Sequence, residues 1–479
     1  MRDEGQGSAV PGRRLMAACL ASVLLVAAGC RVNPVTGRPE LVLITQTREL
    51  AMGHQAHPNV IFMYDGEYHD PELNGYLGTI VMRLHAASHR PEMPMEFTML
   101  NTSVVNAFAT PGHVYATRGF LARLDNEAQF AAVMGHELAH VAAGHSAKQL
   151  STSLLTGLAL GVADYAAGDT LAGRVAVGAG QASVALLGLS YSREQERQAD
   201  RVGAYYMALG GWDPRQAIEV QQMLGELAGD REGVLDRYLS THPPAANRVG
   251  EIEDLIAEKG LLGRRYVQGD GVYAARWERR LKRLKDVNRA FEPYDRGTKL
   301  LAASNFAQAL AAADEAIGLR DDQAPFHRLK GDALRRLNRL GEAKAAYGRA
   351  LALDRRYVPG NVGLGMVLLM EGRHGDAEGQ FLTAVRGYPG GALGWYGLGT
   401  ARYNLGRYRD AVQPLEAAAS AISNEPTLFY MLGICYDRTG RSADAVASYE
   451  QALKAGLTGS EAEQARQRIS SLRSALALM

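Results

Sequence analysis

Three histidines and a glutamate lie close together in the stretch MGHELAHVAAGH, residues 134–145. His136 and His140 are four residues apart, so on a helix both imidazoles project from one face, one turn apart. Glu137 lies between them, where it misses a shared metal ion but reaches the attacking water as a general base. This H-E-x-x-H pattern predicts bound Zn²⁺ and a catalytic Glu137. On a continuous helix His145 would point away from both ligands, so we expect it at the surface or behind them.

A catalytic zinc keeps three protein ligands, so one more must come from elsewhere in the chain. The longer pattern H-E-x-x-H-x-x-G-x-x-H is absent, because Ala143 and Ser146 occupy its glycine and histidine positions. The later stretch LSYSREQERQAD offers Glu196 and Asp200, four residues apart on one helical face. Glu196 could then bind zinc while Asp200 accepts the outer N–H of a ligand histidine. Taken alone, this charged helix is equally typical of a solvated surface.

Four segments of the chain resemble the metalloprotease family that includes the CAAX prenyl protease and the heat-shock protease HtpX. They are NPVTGRPELVLITQTRELAMG, NAFATPGHVYATRGFL, HELAHVAAGH with YSREQERQAD, and STHPPAANRV. The resemblance implies a zinc-dependent endopeptidase. It also implies that Glu196 is the third zinc ligand, that Asp200 is its hydrogen-bonding support, and that Glu137 is the base.

The same resemblance assigns a role to the segment after the turn at Pro111–Gly112. This segment is predicted to form a short strand of Val114, Tyr115, Ala116 and Thr117. In similar enzymes the strand is an edge beside the zinc helix, where an extended substrate adds through main-chain hydrogen bonds. A purely structural strand is the alternative.

The loop STHPPAANRV carries one more candidate ligand, His242. Two prolines hold the backbone after it extended. The family resemblance implies that this histidine can bind the zinc as a fourth ligand, which closes the site and makes the enzyme latent. A solvent-exposed loop histidine is the alternative. Arg248 is predicted to anchor the same loop or to contact substrate.

The first 29 residues predict a signal peptide of the bacterial lipoprotein type. Two arginines precede an apolar run at 15–28, which is followed by Gly29 and Cys30. The thiol of Cys30 would carry the lipid, and Arg31 after it favours delivery to the periplasmic face of the outer membrane. Simple secretion without a lipid is the alternative.

Composition narrows the possible partners. The net charge is +1, from 52 basic and 51 acidic residues, which provides no electrostatic field for nucleic acid or for an anionic membrane surface. The small-residue segment between the two metal helices, within 150–192, is predicted to form buried or lid helices because Asp164, Asp169 and Arg174 interrupt it. A transmembrane hairpin is the alternative.

The last third of the chain repeats itself every 34 residues. The repeated small residues include Gly297, Gly331, Gly365, Gly399 and Gly433, and the bulky ones include Tyr347, Phe381, Leu415 and Tyr449. Small residues let two antiparallel helices approach while bulky ones fill the space between repeats, which is the tetratricopeptide pattern. Such a solenoid favours docking of a polypeptide substrate or a protein partner.

The predicted fold is mainly α: an α+β protease domain with a small sheet and the zinc helix, followed by an all-α repeat solenoid. The predicted divisions are a signal peptide at 1–29, a metalloprotease domain at 30–262, a connecting helix at 263–292 and repeats at 293–479. The predicted function is degradation of unfolded or misassembled outer-membrane proteins in the bacterial cell envelope, with docking to the outer-membrane assembly machinery. The alternative is an adaptor or chaperone-like scaffold with a latent or structural metal site, which the base Glu137 disfavours.

Overall fold

The computed structural model describes residues 30–153, 189–228, 236–242, 247–263 and 269–477. The predicted signal peptide, most of the lid segment and the two prolines after His242 lie outside the described residues. Contacts divide the chain into two units, Met1–His57 with Glu67–Lys282, and Pro58–Gly66 with Arg283–Met479. The division falls inside the predicted connecting helix. Within the described part, no helix is long and apolar enough to cross a membrane.

The first unit contains two small sheets. Strands β1 (Cys30–Val32) and β2 (Pro39–Leu41) form an antiparallel pair. The second sheet has the order β3-β5-β4, with β3 at Glu96–Leu100, β4 at Ala107–Thr110 and β5 at His113–Thr117. Strand β5 is therefore central, parallel to β3 and antiparallel to β4.

Helices surround these sheets. In the described residues they are α1 (Gln46–Met63), α2 (Pro71–Ala86), α3 (Arg118–Leu121), α4 (Glu127–Ala142), α5 (Arg193–Gly210), α6 (Gln216–Ala228), α7 (Asp236–Thr241) and α8 (Arg248–Lys259), together with a helical stretch at 145–153. A 3₁₀ turn, Leu261–Gly263, follows α8. Every residue of α4 is buried, so this helix forms the centre of the unit.

Helix α4 has a defined beginning and end. The side chain of Asn126 caps its N-terminus by accepting a hydrogen bond from the backbone N–H of Gln129. The helix stops at Ala142 because Gly144 adopts the left-handed conformation, with a φ of 66°. A new helical stretch begins at His145. The direction of the chain therefore changes immediately after the metal-binding motif.

The second unit is a series of helix pairs. They are α9 (Ala274–Ala302), which begins in the first unit, α10 (Phe306–Leu319), α11 (Ala324–Arg336), α12 (Leu340–Leu353), α13 (Val358–Met370), α14 (His374–Gly387), α15 (Ala392–Asn404), α16 (Tyr408–Ala419), α17 (Pro426–Arg438), α18 (Ser442–Lys454) and α19 (Gly459–Ala477). In four of the repeats, the glycine that recurs every 34 residues contacts the bulky residue 16 positions after it. For example, an ideal Cβ on Gly331 would lie 2.8 Å from the Tyr347 ring. The 34-residue pattern is therefore a packing pattern between paired helices.

Candidate metal centre

Helices α4 and α5 place the predicted ligands together because they cross at two glycines. An ideal Cβ on Gly203 of α5 would lie 2.6 Å from the backbone nitrogen of His136 in α4, and one on Gly135 would lie 2.8 Å from the carbonyl oxygen of Gly203. Only hydrogen atoms fit at this crossing. Ser192 caps the N-terminus of α5, and its side chain forms a reciprocal capping box with Gln195. Glu196, one turn from that end, faces α4.

Four donor side chains converge between the helices. His136 Nε2 lies 3.0 Å from His140 Nε2 and 3.4 Å from His242 Nδ1. Glu196 Oε1 lies 3.4 Å from His140 Nε2 and 3.1 Å from His242 Nδ1, and Glu196 Oε2 lies 3.6 Å from His136 Nε2. In the described residues, this is the one group of His, Cys, Asp or Glu side chains arranged to hold a metal ion.

These spacings fit zinc. Bonds of about 2.0–2.1 Å in a tetrahedral arrangement place the ligand atoms about 3.3–3.4 Å apart. The two histidines also face each other with nitrogen lone pairs, an arrangement that is repulsive unless a cation or a proton lies between them. The imidazole nitrogens and the carboxylate are both donors that zinc prefers. The residues that are present therefore fit the metal that the sequence predicts.

Asp200 lies directly behind the first ligand. Its Oδ1 atom is 3.0 Å from His136 Nδ1, which assigns the proton to Nδ1 and leaves Nε2 free to bind metal. Arg248 holds the same carboxylate through two hydrogen bonds of 2.5 and 2.7 Å, and its NH1 atom lies 3.2 Å from Glu196 Oε2. Burial opposes ionisation of Asp200, but the hydrogen bonds from Arg248 and His136 keep the pKa of its carboxyl below the ordinary value. Arg248 thus anchors the site from within.

His242 reaches the metal centre from the end of α7. Its backbone N–H donates to the carbonyl of Tyr238, and its ring stacks on the Tyr238 ring with centroids 4.6 Å apart. Only 1% of His242 is exposed, so it is not a solvent-exposed loop histidine. Its Nδ1 atom is the fourth donor of the cluster, while its Nε2 atom lies 3.6 Å from Glu137 Oε1.

Glu137 is buried next to the donors but is not one of them. Neither of its carboxylate oxygens has a hydrogen-bond partner among the described residues. Burial raises the pKa of Glu137, and the nearby His242 and His136 offset this only in part. In Glu196 the balance is reversed: burial also acts to raise the pKa of its carboxyl, but charge interaction with His242 and the close contacts with His140 and His242 lower it. A metal-binding carboxylate and a proton-accepting carboxylate are thus distinguished by their neighbours.

His145 does not point away from the other histidines. Because the helix ends before Gly144, the ring of His145 turns back and its Nδ1 atom lies 2.8 Å from His140 Nδ1. Only 2% of the residue is exposed, and burial lowers its pKa to about 4. The prediction of a continuous helix was wrong. We had expected His145 either at the surface or behind the ligands, and it lies behind them.

The predicted substrate strand also needs correction. Val114, Tyr115, Ala116 and Thr117 belong to β5, which is central rather than an edge, because β3 and β4 occupy both of its sides. The backbone of β5 therefore has no free side for a substrate. Strand β4 pairs with no other described strand and packs against α4. The backbone of Ala109 in β4 lies close enough to lower the pKa of Glu137.

Several supporting residues were not predicted from the sequence. The ring of Tyr191 stacks on His140 with centroids 3.7 Å apart, and its hydroxyl lies 3.1 Å from Ser146 Oγ. Asn33 donates to the carbonyl of Ala143, and Arg90 donates to that of Val141 at the end of α4. Two of these residues could have been suspected from the family resemblance, because Asn33 and Tyr191 lie in the first and third of the resembling segments.

Two histidines from one helix, a glutamate from a second helix and an adjacent buried carboxylate define the site of a zinc metallopeptidase. Residues 71–256 match peptidase family M48, and four overlapping stretches within 294–460 match the tetratricopeptide repeat. The chain therefore combines an M48 peptidase domain with tetratricopeptide repeats.

The chain is similar to part of two kinds of curated protein. The mitochondrial metalloendopeptidase OMA1 of Arabidopsis thaliana is 33% identical over 190 residues, which cover 39% of this chain and 37% of that protein. The beta-barrel assembly-enhancing protease of Escherichia coli (strain K12) is 33% identical over 202 residues, which cover 40% of this chain and 41% of that protein. The chain thus spans less than half the length of each.

Solved structures show a likeness over a similar share of the chain. The tetratricopeptide repeat protein YrrB is 19% identical, covers 38% of this chain and 97% of its own, and has a TM-score of 0.32. The Pseudomonas aeruginosa protein pilF is 18% identical, covers 39% of this chain and 90% of its own, and has a TM-score of 0.34.

Proposed function

We propose that this chain is a zinc-dependent endopeptidase of the bacterial cell envelope that degrades unfolded or misassembled proteins. The observation that carries the proposal is the buried cluster of His136, His140, Glu196 and His242 beside the buried carboxylate of Glu137, which is not one of the donors. A purely structural zinc site does not require a base beside the metal. The M48 match and the metalloendopeptidase relatives support the same activity.

Zinc, when bound, supplies Lewis acidity and lowers the pKa of water. The chain contributes the proton transfers and the positioning. Glu137 accepts the proton of the attacking water and returns it to the amine that leaves when the peptide bond breaks. Asp200 and Arg248 hold His136 in the tautomer that binds metal. Burial of the cluster excludes the bulk water that would weaken these interactions.

We assign substrate binding to the neighbourhood of β4. An extended peptide running along this strand would lie beside α4, near Glu137. Recognition through the backbone requires a segment that is not already folded. This requirement supports unfolded or misassembled polypeptides, outer-membrane proteins among them, as the substrate class.

The repeats then serve to dock substrates or a partner, and the outer-membrane assembly machinery is the partner class we propose. The support is the solenoid itself, whose stacked helix pairs form an extended binding surface. The relative in Escherichia coli carries the name beta-barrel assembly-enhancing protease, which is consistent with such a partner.

We place the protein at the periplasmic face of the outer membrane, anchored by lipid on Cys30. The support is the sequence pattern that precedes this cysteine. The wild-type chain should partition with membranes and incorporate a fatty-acid probe, whereas Cys30→Ala should do neither. A soluble and unlabelled wild type would favour simple export and would leave the endopeptidase assignment intact.

A second candidate follows from the fourth donor. With His242 in the ligand set, all tetrahedral positions are taken by protein atoms, as in a structural zinc site. The chain would then rest in a latent state or act as a chaperone-like scaffold. Replacement of His242 distinguishes a latent enzyme from a scaffold, because only the latent enzyme would gain proteolytic activity.

The decisive experiment compares the wild type with Glu137→Gln. Gln is isosteric with Glu but cannot accept the proton, and Glu137 does not bind the metal. We expect both proteins to retain one zinc, and we expect only the wild type to cleave an unfolded protein. Cleavage by Glu137→Gln at the wild-type rate would refute the mechanism. Zinc without cleavage in the wild type, in Glu137→Gln and in His242→Ala would support the scaffold.

A further inference from the structure

The two zinc-binding histidines have different supports behind them. His136 Nδ1 meets the carboxylate of Asp200, the usual kind of support for a metal-binding histidine. His140 Nδ1 instead lies 2.8 Å from His145 Nδ1, and His145 Nε2 lies 2.8 Å from the Oε1 atom of Gln198. Behind the second ligand there is thus a chain of two neutral side chains.

Chemistry allows this chain only one direction. If His140 binds metal through Nε2, its Nδ1 atom carries the proton and donates it toward His145. His145 Nδ1 must then accept, so its own proton lies on Nε2 and is donated to the amide oxygen of Gln198. An amide oxygen is an acceptor, so the chain ends there with every hydrogen bond satisfied.

Local structure builds this arrangement from two helices. The left-handed Gly144 turns His145 back toward α4. A side chain at this position would be strained at a φ of 66°, and the Arg31 guanidinium would have to move to make room for its Cβ. Gln198 lies on α5 between Glu196 and Asp200. Helix α5 therefore supplies three groups: the ligand Glu196, the carboxylate behind His136, and the amide that ends the hydrogen-bond chain behind His140.

We infer that His145 and Gln198 are positioning residues that fix His140 in its metal-binding tautomer and thereby set the zinc affinity. The inference rests on the proposed function, because it requires His140 to bind zinc. Its distinguishing feature is the neutral end of the chain: Asp200 brings a negative charge to His136, whereas Gln198 brings none to His140.

Gln198 is the better residue to replace, since His145 is buried whereas Gln198 is partly exposed and lines a cavity of about 720 Å³. Gln198→Leu removes the acceptor, and Gln198→Glu keeps an acceptor and adds a charge. Gln195→Leu is the matched control: it makes the same change in the same helix and breaks the capping box without touching His145.

The full chain is purified in each form, and zinc dissociation constants are measured by competition with a chelator. Loss of an outer hydrogen bond to a metal ligand costs about 10- to 100-fold in affinity, which we expect for Gln198→Leu. Gln198→Glu should bind zinc at least as tightly as the wild type. Gln195→Leu should lower the melting temperature of the zinc-free protein and leave the zinc affinity unchanged.

The visible spectrum of the cobalt-substituted protein gives a second readout, because it reports ligand geometry rather than folding. It should change in Gln198→Leu and remain as in the wild type for Gln195→Leu. Zinc affinity and cobalt spectrum both unchanged in Gln198→Leu would overturn the inference and leave the proposed function standing. A wild type that binds no zinc would overturn both.

Discussion

The crossing of α4 and α5 provides a sharp test of how the metal centre is positioned. Gly203→Ala adds one methyl group where an ideal Cβ lies 2.6 Å from the His136 nitrogen and 2.9 Å from the Gly135 carbonyl carbon. Both neighbours are backbone atoms, so no side chain can rotate away. Ordinary contacts between heavy atoms begin at about 3.5 Å, so the helices must separate by about 0.9 Å.

That movement is large for a metal site. Zinc–ligand distances in protein sites lie within about 0.2 Å of their usual values, and Glu196 lies on the displaced helix, 3.4 Å from His140 Nε2. We therefore expect Glu196 to leave the ligand set and zinc affinity to fall by at least 100-fold, more than the loss of an outer hydrogen bond would cause. Forcing a methyl group into a packed core also costs about 1–3 kcal/mol of folding free energy.

Urea unfolding of the zinc-free protein gives the folding free energy, and chelator competition gives the zinc affinity. Gly75→Ala in α2 is the control, since a Cβ there meets no atom within 4 Å. It should stabilise the protein by up to about 1 kcal/mol and leave zinc binding unchanged. Wild-type zinc affinity in Gly203→Ala would show that the glycine crossing does not position Glu196.

Three further predictions concern other parts of the chain. His242→Ala should raise basal cleavage of an unfolded protein severalfold and weaken zinc retention slightly; unchanged values of both would remove His242 from the site. Gly433→Val, whose Cβ would lie 2.5 Å from the Tyr449 ring, should destabilise the repeat unit by about 1–3 kcal/mol in thermal unfolding without altering zinc affinity. Burial lowers the pKa of His113 to about 4, so unfolding takes up a proton between about pH 6.5 and 4, and stability should fall as pH falls through that window. After allowance for solvent screening, His113 should account for about 1–2 kcal/mol of the folding free energy lost. In urea titrations, His113→Gln should therefore lose less stability between about pH 7 and 4.5 than the wild type.

The metal ligands were predictable because their geometry is local. His136 and His140 share a helical face whatever the rest of the chain does, and the same spacing pairs Glu196 with Asp200. The repeats were predictable for a related reason, since each phased glycine contacts a residue at a fixed distance along the chain. The packing of α5 against α4 could not be predicted from local geometry, because the charged residues around Glu196 are equally typical of a helix on the surface. The family resemblance supplied that step.

The errors arose where the structure depends on distant residues or on one backbone angle. The order β3-β5-β4 places the last strand in the middle, and nothing within 113–117 specifies this position. His145 required knowledge that Gly144 would adopt a left-handed conformation and end the helix. The stacking of Tyr191 on His140 joins residues 51 positions apart and has no local pattern.

The four ligands differ in how firmly they are held, and this difference bears on latency. His136, His140 and Glu196 lie on two long helices that are locked at a glycine crossing. His242 lies at the end of α7, a helix of six residues. Outside the metal centre it makes a ring contact and a backbone hydrogen bond with Tyr238, and inside it its Nδ1 atom lies 3.1 Å from Glu196 Oε1. Such a ring contact contributes about 0.5–1.5 kcal/mol and such a hydrogen bond about 1 kcal/mol. Coupling energies between sites in proteins are typically about 1–3 kcal/mol. We therefore expect a bound partner to displace His242 more readily than the ligands on the two long helices.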